Sequence, residues 1–231
     1  MQLLKKYGII IFWFILAADC FLLYQEQHEY HGYLKAALMP VLIFYVFLNA
    51  RKNHYLTSKS LVFSAMLFSW IGDLLLVNNT NTFFLWGMVA FLIAHIFYII
   101  FFRRLQPLNP LKATEATVAA VVLIAIYYQL FKFLKPELAE VPSLRVPIYI
   151  YAIVIGIMAV MATNVFSNKS RRSLSINFFI PGVALFIFSD IVLVLHKFKY
   201  TDTAFLEVVI MVSYGYAQCL LAQGFTKYLK G

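Results

Sequence analysis

Four ionisable side chains interrupt otherwise apolar runs of this chain: Asp19, Asp73, His95 and Asp190. A charge placed in hydrocarbon costs about 2.5–3.5 kcal/mol on insertion scales, so such groups face protein and usually work there. Asp73 follows a glycine in Phe68-Ser69-Trp70-Ile71-Gly72-Asp73-Leu74-Leu75, and Asp190 follows a serine in Phe186-Ile187-Phe188-Ser189-Asp190-Ile191-Val192-Leu193. Two carboxyls facing one water-poor pocket divide their protons unequally, so that one is protonated while the other stays charged. General acid and base catalysis requires such a pair. Spacing alone leaves a structural alternative, in which each aspartate bonds a neighbouring Ser, Tyr or backbone group.

The other polar residues of these runs have narrower readings. His95 has Tyr98 almost one turn further on the same helix face. It reads as a proton shuttle, a ligand or a satisfied core histidine. Asp19 lies nearer a helix end and reads as interfacial. Lys35 opens its run, where it can snorkel or pair with a phosphate or an aspartate. Gln218, in Tyr214-Gly215-Tyr216-Ala217-Gln218, must bond something in lipid and therefore faces protein. The catalytic candidates are thus Asp73, Asp190 and His95. Lys35, Tyr98, Ser189, Tyr214 and Gln218 are the candidates for contact with a bound molecule.

The elements that must position these residues are membrane helices. Hydrophobic residues make up 63% of 231 and charged residues 13%, whereas a soluble domain carries about 25% charged residues. A span needs about 20 apolar residues and satisfies its own backbone hydrogen bonds only as a helix. Eight such stretches fit, at roughly 8–24, 33–49, 61–77, 83–102, 115–134, 146–166, 176–195 and 204–225. The expectation is one all-α integral membrane domain over 1–231, a bundle of about eight helices with short loops. Asp73 and Asp190 then sit on parallel spans 3 and 7, about four and five residues from the outer ends. At 1.5 Å per residue both lie roughly 6–8 Å below that edge.

The net charge of +9 is uneven along the chain. With a cytoplasmic N-terminus, Lys5, Lys6, Arg51, Lys52, Lys59, Arg103, Arg104, Lys112, Lys169, Arg171, Arg172, Lys227 and Lys230 lie inside. That is thirteen of nineteen Lys and Arg, and the positive-inside rule places both termini in the cytoplasm. Topology and anionic lipid account for these basic loops without nucleic acid. The bacterial cytoplasmic membrane is the expected location. Lys5 and Lys6 before an apolar run resemble a signal peptide, but Asp19 before Cys20 fits lipoprotein processing poorly, so span 1 reads as retained. Cys20 and Cys219 read as small buried residues.

Two features concern organisation. The connection 103–114 holds Pro107 and Pro110, and 135–145 holds Pro136 and Pro142, which suit turns. Pro40 and Pro181 mark either bends or helix entries in spans 2 and 7. The frame Gly87, Phe91, Ala94-His95 in span 4 echoes Gly182, Phe186, Ser189-Asp190 in span 7. Spans three apart run in opposite directions, so the echo suits an inverted repeat with a site between its halves. The frequency of Gly and Phe in membrane helices explains it equally well.

Several chemistries find no support in the sequence. There is no Gly-x-Ser-x-Gly elbow and no Walker or Rossmann glycine pattern. Only His95 of five histidines lies within a span, too few for a zinc hydrolase site. No metal or other cofactor is expected.

The chain resembles the YhhN family of membrane proteins, which includes lysoplasmalogenases. The resemblance rests on Gly72-Asp73-x-Leu75-Leu76, Gly87-x-x-x-Phe91-x-x-x-His95-x-x-Tyr98, Tyr151-Ala152-x-Val154-Ile155-x-x-Met158, Gly182-x-x-x-Phe186-x-x-Ser189-Asp190-x-x-Leu193 and Tyr214-x-x-Ala217-Gln218. Order and spacing agree over about 150 residues. One departure is in span 2, where the family tends to place Pro directly after Lys; here Ala36 follows Lys35 and the proline is Pro40. The resemblance implies hydrolysis of the vinyl ether of a lysoplasmalogen, giving a fatty aldehyde and glycerophosphocholine or glycerophosphoethanolamine. The implied partner is a lysophospholipid within the bilayer, with Lys35, Arg145 or Lys197 at its phosphate and His95 and Tyr98 positioning or relaying. The alternatives are a proton-coupled transporter or lipid carrier, which intramembrane Asp and His also suit, and a membrane scaffold.

Overall fold

The computed structural model describes residues 2–50, 56–78, 80–108, 114–201 and 203–230. Its helices are α1 (Gln2–Tyr24), α2 (His28–Asn49), α3 (Leu56–Leu76), α4 (Asn81–Leu105), α5 (Thr114–Phe133), the short α6 (Lys135–Glu140), α7 (Pro142–Asn164), the single turn α8 (Arg172–Leu174), α9 (Ile180–Phe198) and α10 (Ala204–Lys230). A 3-10 turn, Val165–Ser167, extends α7, and a π-helical turn, Ser175–Phe179, joins α8 to α9. Eight continuous helical segments among the described residues are long and apolar enough to cross a membrane. The protein is a multi-pass all-α membrane protein. The termini of this even-numbered set lie at one end of the bundle, and the loops α1–α2, α3–α4 and α9–α10 lie at the other. Arg51, Lys52, Lys112 and Pro110 lie outside the described residues.

Two prolines act as helix starters. Pro136 and Pro142 occupy first-turn positions of α6 and α7, where the missing N–H costs nothing. The connection 135–145 is therefore helical rather than a plain turn, and α7 starts earlier than the apolar run suggests. Glu137 of α6 accepts a hydrogen bond from Lys199 Nζ, which ties α6 to the α9–α10 loop. That bond holds the Glu137 carboxyl below its usual range. Pro181 starts the regular part of α9, directly after the π-helical turn. Pro40 lies inside α2.

Packing is close at one end and looser at the other. α10 is the central element, half of its apolar window being buried, whereas α5 buries 6% of its own and packs chiefly on α7. Toward the termini, Phe101, Phe102, Phe179 and Phe225 interlock edge to face with Tyr228 beside them. Arg171 and Asn168 donate to Leu105 O and cap the end of α4. The site-bearing pair α3 and α4 cross at two glycines. A Cβ on Gly72 would stand 2.6 Å from the Phe91 ring, and one on Gly87 2.7 Å from Leu76. Only glycine permits this approach, which is the usual way membrane helices gain contact. It sets Asp73, the next residue, against α4.

Candidate active site

Asp73 and Asp190 line one hollow of about 30 Å³ together with Lys35, Phe91, Ser189 and Tyr214. That volume has room for about one or two waters. Asp73 is 2% exposed, and Asp190 keeps some accessible surface. The two helices run on by different lengths beyond their aspartates. α3 ends at Leu76, soon after Asp73, whereas α9 continues to Phe198, two turns beyond Asp190. The helices nevertheless bring both carboxyls to the same space.

Each carboxyl is held by a tyrosine from another helix, and each tyrosine has a third group behind it. Tyr214 Oη donates to Asp73 Oδ2 at 2.7 Å and accepts from Gln218 Nε2 at 3.1 Å. Tyr151 Oη donates to Asp190 Oδ2 at 2.8 Å, and His95 Nε2 lies 2.9 Å from the same hydroxyl. With Tyr151 donating to Asp190, the matching tautomer carries its hydrogen on His95 Nε2 and donates to Tyr151. His95 Nδ1 is buried and has no hydrogen-bond partner among the described residues. Phe91 and Phe186 pack against the imidazole. The two relays are alike in form: amide or imidazole, then tyrosine, then aspartate.

The electrostatic surroundings of the two differ. Lys35 is the principal cationic neighbour of Asp73, with Asp19 further off. Asp190 borders a second, apolar hollow of about 30 Å³ formed by Tyr127, Phe131, Ile148, Tyr151 and Ile155 among others. Burial acts on both carboxyls, with Lys35 and Tyr214 beside Asp73 and Tyr151 beside Asp190.

The shared hollow continues outward. Lys35, Leu76, Leu193, Ile210 and Met211 also line a polar vestibule of about 430 Å³ at the end opposite the termini. His28, His31, His196 and Glu207 stand in its wall. His28 Nδ1 and His196 Nε2 stand 3.7 and 3.8 Å from Glu207. His31 Nδ1 bonds Asp19 Oδ1 at 2.7 Å. Asp19 is fully buried within the protein: the tight α1–α2 turn, with Glu26 in the left-handed region at φ 58°, folds α2 back onto it.

The other expected residues fall into two groups. Ser189 and Tyr214 line the hollow, with Ser189 Oγ donating to Ile210 O at 3.1 Å. Gln218 and Tyr98 line none of the cavities described. Gln218 acts through Tyr214, and Tyr98 stacks on Phe225 with centroids 5.4 Å apart, near Ser69. Arg145 and Lys197 lie over the rings of Tyr149 and Phe84 and do not line the vestibule. Sequence reasoning gave no role to Tyr151, Glu207 or the vestibule histidines. Tyr151 is one of fifteen tyrosines, and no spacing rule links it to a residue 39 positions away. The histidines stand at helix ends, where a polar residue carries no burial signal.

The profile of the YhhN family matches residues 30–225. The chain belongs to the YhhN family. Every residue of the hollow and both tyrosine relays fall inside the matched stretch, whereas Asp19 and His28 lie before it. No curated protein and no solved structure matches the chain.

Proposed function

We propose that this YhhN-family protein hydrolyses the vinyl ether of lysoplasmalogens, releasing a fatty aldehyde and a glycerophospho-headgroup. The observation that carries the reading is the pair of relay-held aspartates on one hollow, open on one side to a polar vestibule and bordered on the other by apolar space. A vinyl ether is an amphiphile's hinge: hydrocarbon leads away from its alkene carbons, and a glycerol phosphate from its oxygen.

The chemistry needs an acid for carbon, a base for water and negative charge beside a cation. Asp190, on the apolar side, donates a proton to the alkene carbon distal to the ether oxygen. The C=C π pair forms the new C–H bond, and the oxygen lone pair closes an oxocarbenium ion. Asp73, on the vestibule side with Lys35, takes a proton from water as its oxygen adds to the cationic carbon. The product is a hemiacetal, and the charges of the two aspartates have exchanged. Collapse returns the hydroxyl proton to Asp190 and delivers the Asp73 proton to the departing glycerol oxygen. One water is consumed, and both aspartates are back in their starting states. Tyr151 and Tyr214 each fix one carboxylate oxygen through these steps, and His95 and Gln218 fix the tyrosines. Lys35, with the vestibule histidines, meets the phosphate, and Glu207 suits the headgroup ammonium.

The test uses purified protein in detergent with 1-alkenyl lysolipid and mass detection of both products. Wild type releases aldehyde, which a carrier or a scaffold does not. Asp73→Asn and Asp190→Asn each lose about 10²–10⁴-fold in kcat, the usual contribution of a general acid or base. Full activity in either folded variant ends the proposal.

A further inference from the structure

An apolar groove of about 590 Å³ runs between α5 and α7, open to the lipid side. Its walls are Ala120, Leu123 and Tyr127 from α5, and Ala152, Gly156 and Val160 from α7, among others. Along α5 it extends from Ala120 to Phe131, which at 1.5 Å per residue is about 16 Å, half of a hydrocarbon core of about 30 Å.

Three observations say what lies in it. The first is continuity. Tyr127, Phe131 and Ala152 line both this groove and the small hollow that Asp190 borders. Tyr127 also stands close enough to Asp190 to interact with its charge. The groove and the hollow that Asp190 borders are therefore neighbours across these residues. The second is polarity along one line. From the end opposite the termini inward come the charged vestibule, the two aspartates, the apolar hollow and the groove. A single-chain amphiphile has that order of chemistry from headgroup to tail. The third is width. The hollows on either side of Asp190 hold only about 30 Å³ each, too little for two chains side by side.

We propose that the α5–α7 groove seats the hydrocarbon chain of a single-chain lipid, whose first carbons pass Tyr127 to reach Asp190 while its headgroup lies in the vestibule. The assignment rests on the acid–base reading of the hollow. It adds the seat of the tail and a reason for discrimination against two-chain lipids: the second chain, with no path past Tyr127 and Tyr151, would be left in the polar vestibule. Gly156 is the residue that keeps the groove deep. A Cβ there would meet only Tyr127 Cε2, at 3.7 Å, so a larger side chain enters the groove without forcing the helices apart.

The experiment photolabels the full-length protein in lipid nanodiscs. The probe is a 1-alkyl lysophosphocholine, which lacks the vinyl group and is not cleaved, with a diazirine midway along its chain. Labelled peptides are mapped by mass spectrometry. Label is expected on 120–131 and 152–161, displaced by excess unlabelled 1-alkyl lysolipid and not by diacyl phosphocholine. Gly156→Leu lowers that label about tenfold and raises KM for a sixteen-carbon 1-alkenyl lysolipid by a similar factor. Label confined to other helices overturns the proposal. So does displacement by diacyl lipid as effective as by lysolipid, which marks the groove as ordinary bilayer contact. Crosslinks joining two copies through α5 mark a dimer face and also overturn it. The two proposals fail separately. Specific groove labelling without aldehyde release from the 1-alkenyl lipid removes the hydrolase and keeps the chain site. Aldehyde release without groove labelling does the reverse.

Discussion

Tyr151→Phe is the sharpest single probe of the relay. It removes one oxygen and leaves the ring, whose contact with His95 (centroids 5.3 Å apart) persists. Two hydrogen bonds go with that oxygen, the 2.8 Å bond to Asp190 and the 2.9 Å bond from His95. A hydrogen bond to a charged group contributes about 1.5–3 kcal/mol. Asp190 gains charge only after giving its proton to the substrate, so the bond strengthens along the reaction and its loss falls on the transition state. At 1.36 kcal/mol per factor of ten, kcat falls about 10- to 150-fold. KM stays within about twofold, because phenylalanine keeps the ring that walls the apolar hollow and Tyr151 does not line the vestibule that would hold the headgroup. Aldehyde formation is followed by a coupled dehydrogenase at saturating 1-alkenyl lysolipid. Thermal melting in the same detergent normalises for folded protein, since the buried His95 Nε2 is left unpaired and stability also drops. A folded Tyr151→Phe protein with kcat within twofold of wild type would refute the relay, whatever Asp190 itself does.

Two other substitutions separate roles. Lys35→Met should raise KM about tenfold for a phosphate-bearing 1-alkenyl lysolipid, by loss of one charge-assisted contact, and leave KM for 1-alkenyl glycerol unchanged; equal effects on both substrates would remove the headgroup role. Glu137→Gln should lower the melting temperature at neutral pH by cutting the tie between α6 and Lys199. The sign of its pH dependence is fixed, because the native carboxyl titrates below its ordinary value. The contribution is therefore present above about pH 4.5 and fades as pH falls through the lower native value, so the gap between wild type and variant should close in acid; a gap that widens there contradicts the assignment.

How far the sequence carried depended on which physical constraint each residue answers to. Hydrocarbon imposes its demand on every residue of a span, so the eight helices stand out in composition alone. The same demand makes Asp73, His95 and Asp190 conspicuous. Asp19 stood out as an ionisable residue but its burial did not, because a carboxyl near a helix end looks wet; only the fold of α2 over it, closed by His31, makes it dry. Tyr151 escaped because a tyrosine is at home anywhere in a membrane helix, and its task depends on a partner from another helix. Tyr98 misled for the opposite reason. Its spacing from His95 places both on one face of α4, but successive depths on that face meet different neighbours, Tyr151 at His95 and Phe225 at Tyr98. The vestibule is assembled from the ends of five helices and two loops, and no local pattern encodes such a meeting.

The most direct measurement is solvent isotope incorporation. Purified protein is given 1-alkenyl lysolipid in D2O, and the aldehyde is trapped at once by reduction and weighed by mass spectrometry. Proton delivery to carbon predicts one deuterium on the carbon beside the former carbonyl in wild type, and at least a hundredfold less labelled product with Asp73→Asn or Asp190→Asn. Aldehyde carrying no deuterium there, or labelled product at the wild-type rate from either variant, would contradict acid–base cleavage at this pair of aspartates.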